Sequence, residues 1–253
     1  MNALMNFPRV VFVLSLILLW LAAFAGEFFA EKFRPLKEDE REDFGVVEAA
    51  ILTLLGLLIG FTFSMAISRY DQRKNYEEEE ANAIGTEYLR AELLPAADAA
   101  KVQGLLKKYL EQRILFYEVR DLVQLEQINA TTARLQTELW SSVREPAAAQ
   151  PTPVAAIVAS GMNDVLNTQG YTQAAWWNRI PAAAWLLMAA LAIGCNVLIG
   201  YGERKRNRLL LMVLPLAVSI SFFLVADIDS PRRGLISVTP QNLLSLSESL
   251  NRP

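Results

Sequence analysis

Four long runs without a charged residue dominate this sequence: Val10–Gly26, Ala49–Ser68, Ile180–Gly202 and Leu209–Ala226. Arg9 and Glu27, Glu48 and Arg69, Arg179 and Glu203, and Arg208 and Asp227 close them off. Crossing a hydrocarbon core takes roughly 17–25 apolar helical residues. Inside lipid a backbone N–H or C=O finds no outside partner, so each run is expected to be a helix. The runs therefore predict an all-α, multi-pass membrane protein with two pairs of spans.

A second feature limits the first run. Ala23-Phe24-Ala25 resembles a signal-peptidase site, and cleavage there would leave three spans. The apolar character continues through Phe28-Phe29-Ala30, so an uncleaved span is the preferred reading. Pro181 suits the first turn of the third span, and Pro215 predicts a kink in the fourth. Trp176, Trp177 and Trp185 fit an interfacial aromatic belt.

Between the spans lies a water-soluble segment of helical pattern. The expected organisation is residues 1–68 as the first transmembrane pair and 69–179 as a helical soluble domain. Residues 180–226 form the second pair, and 227–253 a C-terminal tail. No Gly or Pro interrupts Arg69–Ile84, so the second span should run on into water as one helix. Val102, Leu105, Leu106, Tyr109 and Leu110 mark a further helix, and Leu125, Ile128, Thr132, Leu135 and Leu139 another. Pro146, Pro151 and Pro153 in an alanine-rich stretch read as a loop.

Composition excludes several functions. The net charge of −3 and the absence of a basic face argue against nucleic-acid binding. With no histidine in the chain, the commonest general base and metal ligand are missing. Neither a phosphate-cradling Gly loop nor a Cys/His ligand cluster occurs. No metal, cofactor or enzymatic activity is expected. The single cysteine, Cys195, lies in an apolar run and permits no intrachain disulfide.

The second span holds the candidate site. Gly56 and Gly60, four apart, make a flat face for helix packing. Beside them Thr53, Leu57 and Phe61 form a stripe that would line a pore constriction or, on the span alone, face lipid or another helix. At the water boundary stand Arg69, Asp71 and Arg73; the two arginines, one turn apart, are expected to reach lipid head groups or to draw anions to a pore mouth. Glu77-Glu78-Glu79-Glu80 reads as a solvated helix face, or as a carboxylate ring in a symmetric oligomer. Asp227 and Asp229 cap the fourth span and are placed to pair with Arg69 or Arg73.

The stretch Leu58-Ile59-Gly60-Phe61-Thr62-Phe63-Ser64, then Ser68-Arg69-Tyr70-Asp71-Gln72-Arg73 and Glu80-Ala81-Asn82-Ala83-Ile84, resembles the uncharacterised bacterial bestrophin-like membrane proteins. So does the ending Asp227-Ile228-Asp229-Ser230-Pro231-Arg232-Arg233-Gly234 with Val238-Thr239-Pro240. The two-plus-two layout extends the likeness over nearly the whole chain. A more distant resemblance reaches the bestrophins, pentameric anion channels with a neck formed by the second span and a cytosolic helical domain. It implies a homo-oligomer, by this likeness a pentamer, that conducts inorganic ions across a cell (inner) membrane. Thr53, Leu57 and Phe61 would sit at the neck. Thr53 departs from the bulky apolar neck pattern, Tyr70-Asp71 from a paired-aromatic one, and the glutamate run from an anion path.

Charge counting barely separates the two orientations; the turn Glu203-Arg204-Lys205-Arg206 mildly favours cytoplasmic short loops, and the resemblance a cytoplasmic helical domain. The alternative function is a non-conducting scaffold or sensor whose helical domain binds a protein partner around Leu125–Val143 and Trp140.

Overall fold

A computed structural model describes residues 5–32, 36–202 and 208–252. The Glu203–Arg206 turn, invoked above for topology, lies outside the described residues. Among those residues there are helices and no strands. The helices are α1 (Pro8–Lys32), α2 (Arg41–Arg90), α3 (Ala96–Glu118), α4 (Leu122–Ala149), α5 (Pro153–Trp177), α6 (Ala182–Gly202), α7 (Arg208–Asp229) and α8 (Gln241–Asn251). Short 3₁₀ turns, Glu38–Glu40 and Ala91–Leu93, flank α2. The chain forms two compact units, Met1–Arg69 with Arg179–Ser237, and Tyr70–Asn178 with Val238–Pro253.

The first unit carries the apolar runs. Four stretches of helix are long and apolar enough to cross a membrane. α1 and α6 run parallel: Arg179, just before α6, donates to the Asn6 side chain, and Gly26 meets Val197 and Tyr201 near the other end. Their backbones touch there. A β-carbon at Gly26 would collide with the Val197 carbonyl, and one at Gly200 with the Ala23 carbonyl. Small residues are what lets membrane helices approach this closely. α7 packs on α1 edge-to-face through Phe223 and Phe12, with ring centroids 6.2 Å apart. The start of α2 closes on the end of α6, where Arg41 donates to the Gly202 carbonyl at 3.3 Å and Phe44 lies 5.8 Å from the Tyr201 ring.

In the second unit α3, α4, α5, α8 and the rest of α2 enclose one apolar core around Ile84, Leu106, Tyr109, Leu139, Met162 and Val165. The α4 face reads as expected, with Ile128, Thr132, Leu135 and Leu139 buried. Asp121 caps this helix by accepting the Val123 and Gln124 amides at 2.9 Å each, which satisfies two of its four orphan donors. The predicted loop shrinks to residues 150–152. Pro146 sits in the last turn of α4, and Pro153 opens α5, capped by the Thr152 hydroxyl at 3.1 Å from the Ala155 amide. Proline is tolerated at a first helical turn because its missing N–H would find no partner anyway.

Two of the three tryptophans expected in an interfacial belt are core residues. Trp176 packs edge-on to Phe116 and Tyr117, at 4.9 and 5.5 Å, and Trp185 to Phe222 at 5.9 Å. Only Trp177 is open to its surroundings.

Candidate functional site

A helix advances about 100° per residue, so positions spaced by three and four share a face. On the part of α2 in the first unit, Leu55, Thr62 and Ala66 are buried. Diametrically opposite stand Val46, Thr53, Leu57, Phe61, Ser64 and Ser68, all exposed. Thr53, Leu57 and Phe61 thus share one uncovered stripe of the protomer. The Thr53 hydroxyl donates to the Ala49 carbonyl at 2.7 Å, so its hydrogen-bonding capacity is turned back on its own helix. Gly56 and Gly60 flank the stripe. A β-carbon at either would meet no atom within 4 Å, so within the protomer no side chain lies against them. The helix crossing that glycine does permit inside the protomer is the one at Gly26 and Gly200.

The stripe differs in composition from the lipid-like face of α1. There the exposed positions are Val10, Val13, Leu14, Ile17, Leu18, Trp20 and Leu21, all large and apolar. The α2 face alternates its large residues with Thr53, Gly56, Gly60, Ser64 and Ser68.

Beyond the α2 stripe, the first unit holds a charged cluster built by Asp229. Its carboxylate lies 3.7 Å from the Arg69 guanidinium and 3.9 Å from that of Arg179, and accepts the Ile180 amide at 3.3 Å. The pairing of Arg69 with the end of the last span therefore falls to Asp229. Asp227 instead folds the chain after α7, accepting the amides of Leu235 and Ile236 at 2.7 and 2.8 Å. Gly234 fits inside that turn because a β-carbon there would strike the Asp227 carbonyl.

In the second unit the charged residues part company. Asp71, Glu78 and Glu79 are exposed, whereas Arg73, Glu77 and Glu80 are buried. This corrects the reading of Arg73 as a side chain reaching toward head groups, and of the glutamate run as one solvated face. The three lie on the inner face of α2, at i, i+4 and i+7. Arg73 donates to the Ala175 carbonyl at 3.4 Å. Glu77 accepts the backbone amides of Asn242 and Leu243, 2.9 Å each, at the start of α8. Glu80 takes a charge-assisted hydrogen bond from Arg113 Nε and further ones from Arg113 Nη2 (3.4 Å), the Tyr117 hydroxyl (3.3 Å) and the Thr172 hydroxyl (3.3 Å). Burial disfavours the Arg113 cation, but Glu80 and the Tyr109 and Tyr117 hydroxyls together outweigh it, and its pKa lies above the ordinary value. Burial, and then Glu80, push the Tyr117 pKa up as well.

One carboxylate found by the structure has no sequence signal. Glu87 is buried and accepts no hydrogen bond from any described residue. It lies against Gly161, with Arg90 and Asp164 nearby. Burial raises its pKa to about 8, with Asp164 adding to the rise and Arg90 opposing it. Among the described residues no group of acidic, histidine or cysteine side chains is placed to hold a metal ion.

An all-helical, multi-pass membrane protein, with two pairs of spans about a helical domain and an uncovered stripe on its longest helix, is the class these features define. A family model described as the bestrophin-like domain matches residues 12–243. The chain belongs to the bestrophin-like family. Among solved structures it is similar to a single-residue variant of a bacterial bestrophin homologue from Klebsiella pneumoniae. The TM-score is 0.65 at 13% identity, over 94% of this chain and 97% of that one. A variant of a protein described only as a membrane protein aligns with TM-score 0.66, also at 13% identity and over 94% and 97% of the two chains. None of the curated proteins matches the sequence.

Proposed function

We propose that this chain is a homo-oligomeric ion channel whose pore is lined by α2. The observation that carries the reading is the bare stripe of that helix. Leu57 and Phe61 are 52% and 62% exposed, on a face broken by glycine, serine and threonine rather than filled with aliphatic residues. Arranged about an axis, Thr53, Leu57 and Phe61 make a narrow, largely apolar neck of the kind that gates by dewetting. Gly56 and Gly60 then supply the flat surface on which a neighbouring copy packs. Family membership supports a pentamer, inorganic ions (anions first) as the permeant species, the cell (inner) membrane, and a cytoplasmic helical unit. The exposed Asp71, Glu78 and Glu79 continue the stripe side of α2 with negative charge, whereas Arg69 and Asp229 pair with each other on the covered side.

Liposomes loaded with chloride or potassium test it. Purified protein should release one of them faster than empty vesicles do, and Phe61→Ala should speed that release. Absence of flux across varied pH and calcium, together with a monomeric mass, would sink the proposal. The second reading is a scaffold whose helical unit binds a protein partner. It is favoured by the outer face of α4, where Leu122, Val123 and Trp140 are exposed. That reading predicts a crosslinked partner at Trp140 and no conductance.

A further inference from the structure

Between α1 and α6 of the first unit runs an apolar groove of about 460 Å³. Val11, Leu14, Leu18 and Leu21 face Ala189 and Ile193 across it, and Phe222 of α7 closes its floor. From Val11 to Leu21 the groove follows α1 for about 15 Å, at about 1.5 Å per residue. That is half of a hydrocarbon core about 30 Å thick, the depth of one leaflet. A transmembrane helix from another copy would need a seam twice as long.

One end of the groove is basic. The Val11 amide donates to the Phe7 carbonyl at 3.0 Å, so Phe7 stands one turn ahead of the groove on the same face. The exposed Arg233 guanidinium rests over the Phe7 ring, 4.2 Å from its centroid, which fixes a cation above the apolar track. Arg179, held by Asn6 and Asp229, and the exposed Arg9 add positive charge at the same end.

We infer that this groove binds one phospholipid per protomer, its acyl chain between α1 and α6 and its anionic phosphate against Arg233. The groove disfavours polar groups, because apart from Ser15 and the indole of the buried Trp185 its wall is aliphatic or aromatic, and the Ser15 hydroxyl already donates to the Phe12 carbonyl at 3.0 Å. The cation at one end orients the chain and selects the head group. This inference rests on membrane embedding and not on conduction, so it stands or falls apart from the channel reading.

The test is native mass spectrometry of delipidated protein titrated with dioleoylphosphatidylglycerol or dioleoylphosphatidylcholine. One tightly held lipid per protomer is expected, with phosphatidylglycerol preferred. Ala189→Phe should fill the groove and remove that lipid, and the milder Ala189→Leu serves if the larger side chain blocks folding. Arg233→Gln should keep the chain bound but shrink the head-group preference about fivefold, the worth of one basic residue beside an anionic lipid surface. Inorganic phosphate, which shares the head-group chemistry but lacks a chain, should not compete. The inference is overturned by unchanged lipid binding in both Ala189 variants, by displacement with phosphate alone, or by protomer-to-protomer crosslinking through Ala189→Cys, which would put a second copy in the groove.

Discussion

Glu77 grips Asn242 twice, through the backbone amide at 2.9 Å and the side-chain amide at 2.6 Å. A carboxylate from α2 thereby caps α8, a helix whose own sequence provides no side-chain cap. Helix N-termini favour negative charge as well as an acceptor.

Glu77→Ala should therefore free the C-terminal helix. The expected loss is about 0.5–2 kcal/mol, the range for removing an N-cap. Amide hydrogen exchange should rise across Gln241–Asn251 before it rises in α3 or α4. Unchanged protection there would show that Lys107, which donates to the Leu250 carbonyl at 2.7 Å, holds the helix unaided.

The Glu80–Arg113 pair predicts a larger effect. Both side chains are fully buried, so removing the arginine leaves a buried carboxylate with the Tyr117 and Thr172 hydroxyls but no countercharge against it. Arg113→Met should cost about 3–5 kcal/mol, and the double variant Glu80→Leu with Arg113→Met should recover much of it. Denaturation of the detergent-solubilised protein measures both.

Glu87 predicts a pH dependence of stability. Its pKa is raised from 4.5 to about 8 in the fold, so between those values the folded chain keeps a proton that the unfolded chain releases. Stability from this group is complete below the unfolded value and falls as pH rises toward 8. Glu87→Gln, neutral at every pH, should flatten the melting-temperature profile across pH 5–8. A profile as steep as that of the parent protein would assign the slope to other groups.

The glycines predict a contrast. Gly26→Leu must push α1 off α6, an overpacking worth about 1–3 kcal/mol or more, and should lower the yield of folded protein. Gly56→Leu meets nothing within the protomer, so its fold should survive. If α2 packs on a neighbouring copy, that variant should instead shift size-exclusion profiles toward smaller assemblies.

Hydropathy made the spans legible because lipid leaves the chain so few alternatives. The unbroken α2 was legible for a plainer reason, the lack of Gly or Pro from Arg69 to Ile84. The start of α5 was not legible, because three prolines in an alanine-rich stretch carry the pattern of a loop. They delimit helices here, and the inward positions Val158, Met162, Val165, Thr172 and Trp176 do keep a helical period. Burial of Glu80 could not be read from sequence, since Arg113 lies 33 residues away and nothing local announces it. Gly26 did leave a signal: Ala22 precedes it by four residues, the same small-residue spacing as at Gly56 and Gly60. Gly200 left none, since the residue four before it is Asn196.

Cys195 offers a practical opening. It is the chain's one thiol and is sealed inside the first unit at 1% exposure. A membrane-impermeant maleimide should therefore leave the native protein unmarked. A cysteine placed at exposed Gln150, in the turn between α4 and α5, would then be the sole reactive group, with no cysteine-free background to engineer. Whether intact cells take up the label at that position reports directly which compartment the helical unit occupies.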